Sequence, residues 1–197
     1  MQRRIVVIVG HPDPDPKRLC RALASSYAEG ARLAGHPVHE IDIARLNFPF
    51  LRSMEEFRHG MVAPDLTDEI EAIKKADHIV FFFPLWLGSM PALLKAFLEQ
   101  IMRPGIAFAY SERGEAGLTK SMFTKCSAHI VVTMGMPSAF YRLWYLGQGV
   151  ASMRRGILNF VGIRPVRQTF LGSVEAVSSS RRRKWIDQMR SLGVRAR

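Results

Sequence analysis

Three stretches of the chain combine residue types that suit a flat ligand carrying negative charge. The first runs Gly10-His11-Pro12-Asp13-Pro14-Asp15-Pro16-Lys17-Arg18-Leu19-Cys20. It joins a β-branched run to a helical pattern, so it ends at a helix N-terminus, where free N–H groups and the dipole favour an anion such as phosphate. Lys17 and Arg18 add direct charge. The stretch is neither G-x-G-x-x-G nor a glycine-lysine Walker loop, so neither a classical dinucleotide site nor an ATPase is supported. A bland alternative stands beside this one, in which His11 and the prolines only shape a turn. The second stretch, Pro84-Leu85-Trp86-Leu87-Gly88-Ser89-Met90-Pro91, sets bulky apolar groups beside a glycine. A tricyclic isoalloxazine would use them, needing an apolar wall on one face and backbone donors and acceptors around its rim. Core or dimer-interface packing of Trp86 and Leu87 is the alternative. The third, Thr133-Met134-Gly135-Met136-Pro137, offers backbone N–H groups suited to a pyrimidine carbonyl, although methionine is also an ordinary gap filler.

These stretches need elements to hold them. Ile5 to Val9 is an uninterrupted β-branched run, as expected of a strand buried on both faces of a parallel sheet. Leu19, Ala22, Leu23, Tyr27 and Ala31 then recur at helical spacing up to the stop at Gly35, and Val38 to Ile43 alternates as a second strand. Such a βαβ unit closes right-handed almost without exception. Leu46 to Pro64 reads as irregular. Asp65 to Ala76 reads as a helix with acids in its first turn and lysines in its last, and His78 to Phe83 as the third strand. A helix from Pro91 carries Leu94, Phe97, Leu98 and Ile101. Ser111 to Cys126 reads as a polar surface excursion, and His129 to Met134 as the fourth strand. A helix over about 151–160, a strand from Thr169 to Val174 and a closing helix capped by Ser180 complete the chain. The fold class is therefore α/β, a flavodoxin-like three-layer, doubly wound, parallel five-stranded sheet of order 2-1-3-4-5. In that order the loops after strands one, three and four open at one edge.

The 197 residues are expected to form one domain spanning 1–197. The two cysteines, Cys20 and Cys126, show no disulfide framework and no metal-ligand spacing. No apolar run is long enough to cross a bilayer, so a cytoplasmic location is expected. The formal charge of +11 raises nucleic acid, anionic membrane and phosphorylated ligands as partners without choosing among them. The chain has no nucleic-acid-binding motif, so nucleic acid is not expected as a partner. Arg181-Arg182-Arg183-Lys184 reads as a solvated helix face.

With those motifs in family order, the sequence resembles the flavodoxin-like NAD(P)H quinone oxidoreductases, a family that includes the regulatory flavoproteins of glutathione-gated potassium efflux. His11-Pro12, Pro84 to Lys95 and Thr133 to Tyr141 carry the resemblance, and Pro84 to Lys95 is the most specific. It implies that FMN or FAD is bound, that NAD(P)H is the electron donor and that a quinone-like small molecule is the acceptor, with ping-pong hydride transfer. His11, Lys17, Arg18, Leu19 and Cys20 would hold the flavin phosphate. Pro84, Leu85, Trp86, Leu87 and Gly88 would line the ring, with the Gly88 amide near N5, while Thr133, Met134, Gly135 and Met136 would bind its pyrimidine end. Tyr141 matches the tyrosine beside the flavin. Two departures stand out: Lys17 and Cys20 replace polar residues of the phosphate turn, and Gln148 is the nearest candidate where the family has an active-site histidine. Gly88, Tyr141 and Gln148 are thus the catalytic candidates, and no metal is implied. The resemblance further implies a homodimer, completed by a segment such as Phe140 to Tyr145. It leaves a flavin-binding regulatory subunit of a membrane potassium-efflux transporter as the alternative role.

Overall fold

The computed structural model describes residues 2–109 and 120–197, so the expected excursion at 111–126 lies largely outside the described residues. The elements are β1 (Ile5–Val9), α1 (Leu19–Leu33), β2 (Val38–Asp42), α2 (Met54–His59), α3 (Thr67–Lys75), β3 (His78–Pro84), α4 (Ala92–Ile101), β4 (Phe108–Ala109), β5 (Lys120–Ser121), β6 (Ser127–Thr133), α5 (Ser138–Leu143), α6 (Gln148–Ser152), β7 (Val166–Leu171) and α7 (Ser179–Val194). Five strands form one sheet in the order β2-β1-β3-β6-β7, while β4 and β5 pair as a separate antiparallel ribbon. Every pairing in the large sheet is parallel. Counting only its five strands, this is the expected 2-1-3-4-5 order.

The central strands are apolar throughout because helices cover both faces. On one face Val6, Ile8, Ile79, Phe81, Phe83, Ile130 and Val132 pack against Ile70 and Ile73 of α3 and Leu94, Phe97, Leu98 and Ile101 of α4. On the other, Val7, Val9, Val80, Phe82 and Val131 pack against Leu23, Tyr27 and Ala31 of α1 and Trp185 and Met189 of α7. Alternate residues of one strand thus serve opposite cores, as the pleat requires.

Local departures from the expected boundaries have local causes. The stretch 46–64 contains α2, begun by Ser53, whose hydroxyl accepts the Glu56 N–H, while the Glu56 carboxylate accepts the Arg52 N–H. The Ser-x-x-Glu spacing marks this helix start in the sequence, although Glu56 reaches past the cap to Arg52 instead of closing on Ser53 itself. Ser178, not Ser180, caps α7 by accepting the Arg181 N–H. The helix expected near 151 starts at Gln148 and passes into a π-turn over Met153–Leu158. The last two strands of the sheet start earlier than expected, pairing from Ala128 with Val166 onward.

Helices α1 and α7 approach backbone to backbone. A Cβ on Gly193 would stand 2.1 Å from the Tyr27 carbonyl oxygen, and one on Gly30 would stand 2.1 Å from the Arg190 carbonyl oxygen. Neither position can take a side chain without separating the helices. Gly193→Ala gains helix propensity of about 1 kcal/mol, but the overlap is with backbone, which has no rotamer to yield. We therefore expect a net loss of roughly 1–3 kcal/mol, the usual cost of overpacking, in urea denaturation. An unchanged midpoint would mean that the helices separate at no cost.

Candidate functional site

Parallel pairing sends the chain out of β1, β3, β6 and β7 at the same edge of the sheet. After β1 the chain is held by a relay of short bonds. The Asp13 side chain accepts the Asp15 N–H at 2.9 Å, and the Asp15 side chain accepts the Lys17 N–H at 2.9 Å. Two successive Asx turns thus shape the Pro-Asp repeat. Arg21 of α1 anchors this loop, donating to the Asp13 carbonyl and, through both terminal nitrogens, to the Asp42 carboxylate at the end of β2. The Asp15 N–H and the Arg18 guanidinium hold the Asp13 carboxyl below its ordinary pKa. Helix α1 opens after Arg18, which is extended and offers no side-chain cap. The Leu19 and Cys20 N–H groups have no acceptor among the described residues and sit at a dipole end that favours anions.

His11 has a defined tautomer. Its Nδ1 accepts the Asp13 N–H at 3.0 Å, so the neutral ring carries its proton on Nε2 as a donor. Burial pushes the His11 pKa down, which keeps the ring neutral at pH 7. Its ring meets Trp86 edge-on, centroids 6.2 Å apart. Cys20 is buried with its Sγ 3.0 Å from Thr133 Oγ1, and burial pushes the thiol up to about 12, so it stays protonated.

After β3 the chain makes a tight hairpin. Trp86 and Ser89 exchange both backbone hydrogen bonds, at 2.9 and 3.0 Å, around Leu87 and Gly88, whose φ values are +48° and +79°. Positive φ at both central positions is the type I′ pattern, natural for glycine and unfavourable for leucine. Leu87 is fully exposed. The loop is locked from behind by Tyr141, which is wholly buried: its hydroxyl donates to the Gly88 carbonyl at 3.1 Å and accepts the Val150 N–H at 3.2 Å. Gly149 fits here because a Cβ would lie 2.0 Å from the Gly88 oxygen.

A cavity of about 610 Å³ lies where these loops meet. It is lined by His11, Lys17, Arg18, Leu19 and Cys20 from the first loop, by Pro84, Leu85 and Trp86 from the second, and by Thr133, Met134 and Gly135 from the third. Most of the residues singled out from the sequence thus come together. Five stand apart from the lining. Leu87 points to solvent, Gly88 and Tyr141 bind one another, Met136 accepts the Ser173 N–H through its carbonyl, and Gln148 is exposed at the start of α6. Tyr141, expected beside the flavin, is wholly buried, and its hydroxyl is engaged by Gly88 and Val150.

Asp13, Val174, Glu175 and Arg182 also line the cavity, and the sequence reading did not place them there. Val174 and Glu175 follow β7, whose carboxyl end opens at the same edge. Arg182 reaches in from α7 and donates to the Val174 carbonyl at 2.9 Å. The basic run 181–184 is therefore not wholly a solvated face: Arg181 lies over Trp185, 5.7 Å from its centroid, and Arg182 adds a third cation beside Lys17 and Arg18.

Comparison with known proteins agrees with this architecture. Residues 3–192 match the family described as having a flavodoxin-like fold. A Haemophilus influenzae protein named as an uncharacterized NAD(P)H oxidoreductase is 26% identical over 187 residues, covering 92% of this chain and 90% of its own. The structure of an NAD(P)H:quinone oxidoreductase from Methanothermobacter marburgensis superposes with a TM-score of 0.80 at 23% identity, over 98% of this chain and 96% of that one. An FMN-dependent NADH-azoreductase from Bacillus anthracis, solved in complex with FMN, gives 0.74 at 15% identity over 99% of each chain. With the match running from residue 3 to residue 192, the chain belongs to the flavodoxin-like fold family, to which its resemblance to the NAD(P)H quinone oxidoreductases had pointed.

Proposed function

We propose that the chain works as a single-domain, FMN-dependent NAD(P)H oxidoreductase that reduces quinones or similar small electrophiles. The observation carrying this reading is the composition of the loop cavity. Its lining offers the N–H groups at the start of α1, the Nε2–H of His11 and the cations Lys17, Arg18 and Arg182, which suit a phosphate. It also offers the apolar Leu85 and Trp86, and Gly135, whose N–H has no acceptor among the described residues. The NAD(P)H oxidoreductase relatives support the nicotinamide donor, and the FMN-bound azoreductase supports the flavin.

Bound there, FMN supplies two-electron hydride exchange, which implies ping-pong turnover between donor and acceptor. The protein's part is positional and electrostatic. Trp86 and Leu85 exclude water from one side of the cavity. The Gly135 N–H, which has no acceptor among the described residues, favours negative charge developing near it. Cys20, protonated and tied to Thr133, is a neutral wall rather than a nucleophile. Tyr141 acts as a positioning residue, fixing Gly88 and with it the wall that Trp86 presents.

The direct test is colour and redox response. The purified protein is expected to hold or take up FMN, to lose its visible flavin absorbance under NAD(P)H without oxygen, and to regain it on adding a quinone. A protein that stays colourless with FMN and FAD alike sinks the assignment. His11→Ala and Lys17→Ala should each weaken FMN by about ten- to a hundredfold, in line with roughly 1.5–3 kcal/mol for a hydrogen bond to a charged group, and should leave riboflavin, which lacks the phosphate, unaffected. Equal losses for both ligands would move those residues off the phosphate.

Tyr141→Phe removes the hydroxyl from two buried partners, so about 1–3 kcal/mol of stability should be lost while the pH profile of kcat keeps its shape. Loss of the alkaline limb would instead restore Tyr141 as a proton donor.

We also propose a homodimer seated on the aromatic segment beside the cavity. Leu143, Trp144 and Leu146 are 77%, 75% and 68% exposed, and the Phe140 and Trp144 rings stack 6.0 Å apart at the surface. A cluster of this kind is what interfaces cover. Light scattering after size exclusion should report twice the chain mass, and Trp144→Glu should shift it to monomer. A wild-type chain that is monomeric at micromolar concentration removes the dimer.

A further inference from the structure

A second cavity lies at the other end of the sheet. It encloses about 950 Å³ beneath the first residues of β3, β6 and β7 and the C-terminal end of α7, and shares no residue with the loop cavity. Strand β3 alone separates the two edges by its seven residues, roughly 20 Å at about 3.3 Å per residue.

Its lining is strongly basic. Arg3, Lys125, Arg164, Arg167, Arg195 and Arg197 contribute to it, and Asp77 is the single carboxylate side chain among them. Asp77 is already taken, since Arg4 donates from Nε and Nη2 to both its oxygens. Among the described residues none of the six cations forms an ion pair. The side chains of Lys125, Arg164, Arg167 and Arg197 form no hydrogen bond among the described residues either, while those of Arg3 and Arg195 donate only to the backbone oxygens of Ala196 and Ser191. Six like charges around one concavity repel one another unless an anion compensates them.

A second observation is independent of charge. His78 lines the same cavity and is 2% exposed; its Nδ1 bonds Ser127 Oγ at 2.8 Å, and its Nε2 has no partner among the described residues. Buried polar atoms are almost always satisfied, so an orphan beneath a cavity marks a site whose hydrogen bonding is incomplete in the protein alone. Burial holds His78 down to about 3, so the ring is neutral and adds no competing charge at pH 7.

We propose that this second cavity binds a small ligand bearing contiguous phosphate groups. Arginine dominates the lining, and its planar fork matches phosphate oxygens two at a time. The volume lies in the range that encloses whole organic ligands, much more than a single inorganic ion fills. The cations ring a hollow rather than a flat face, which selects a compact oligophosphate over an extended polymer or a membrane. Free inorganic oligophosphate and a nucleotide share that chemistry.

Calorimetry on the full chain tests it, using sodium tripolyphosphate, ATP, adenosine and a short single-stranded RNA, with and without excess FMN. Tripolyphosphate and ATP should bind, adenosine should not, and affinity should fall on raising salt, which screens exposed charges. ATP binding tighter than tripolyphosphate identifies a nucleotide as the ligand, and equal binding identifies oligophosphate itself. The double variant R164E/R167E, remote from the loop cavity, should lose at least about tenfold in affinity while flavin uptake is unchanged. R164Q/R167Q serves the same comparison should the charge reversal fail to fold. The proposal is overturned if neither phosphate ligand binds, if the folded variant binds as tightly, if FMN abolishes the binding, or if RNA binds where tripolyphosphate does not.

Discussion

Parallel pairing of β1, β3 and β6 in register is the constraint on which the rest of the molecule depends. Because these strands run the same way, every loop at their carboxyl ends arrives at one edge, and every chain entering them arrives at the other. That arrangement is stable only if both faces are covered, which accounts for the apolar strands and for helices on each side. The two cavities are consequences of this polarity. One is built from loops that leave the strands and the other from segments that enter them, and only the first collects glycines and aromatics suited to a flat ring.

Much of this was legible in the residues themselves. Unbroken runs such as Ile5 to Val9 and Ile79 to Phe83 announce buried parallel strands, and the punctuating loops after them are unusual enough to be noticed singly. The βαβ handedness rule then brings those loops together without any knowledge of side-chain positions. For that reason most of the cavity lining could be named in advance.

What escaped the sequence depends on side-chain reach and on burial, neither of which follows from spacing. Arg182 sits in a run of four cations that reads as a solvated face, and only the seating of α7 against α1 turns one of them inward. Tyr141 occupies the expected position in the chain, yet its hydroxyl is consumed by Gly88 and Val150, a fate set by the packing of α5 and α6. The basic cavity combines Arg3, Arg164, Arg167 and Arg197 from distant parts of the chain, so no local pattern marks it.

The Asx relay after β1 has a thermodynamic corollary. Pro12, Pro14 and Pro16 restrict the backbone torsions of the segment, and Asp13 and Asp15 close the turns between them. A glycine-rich phosphate loop would begin supple and surrender that freedom on meeting its anion. Here the disorder has already been lost during folding, so the phosphate association proposed above sacrifices less entropy and leaves more of the electrostatic attraction as affinity.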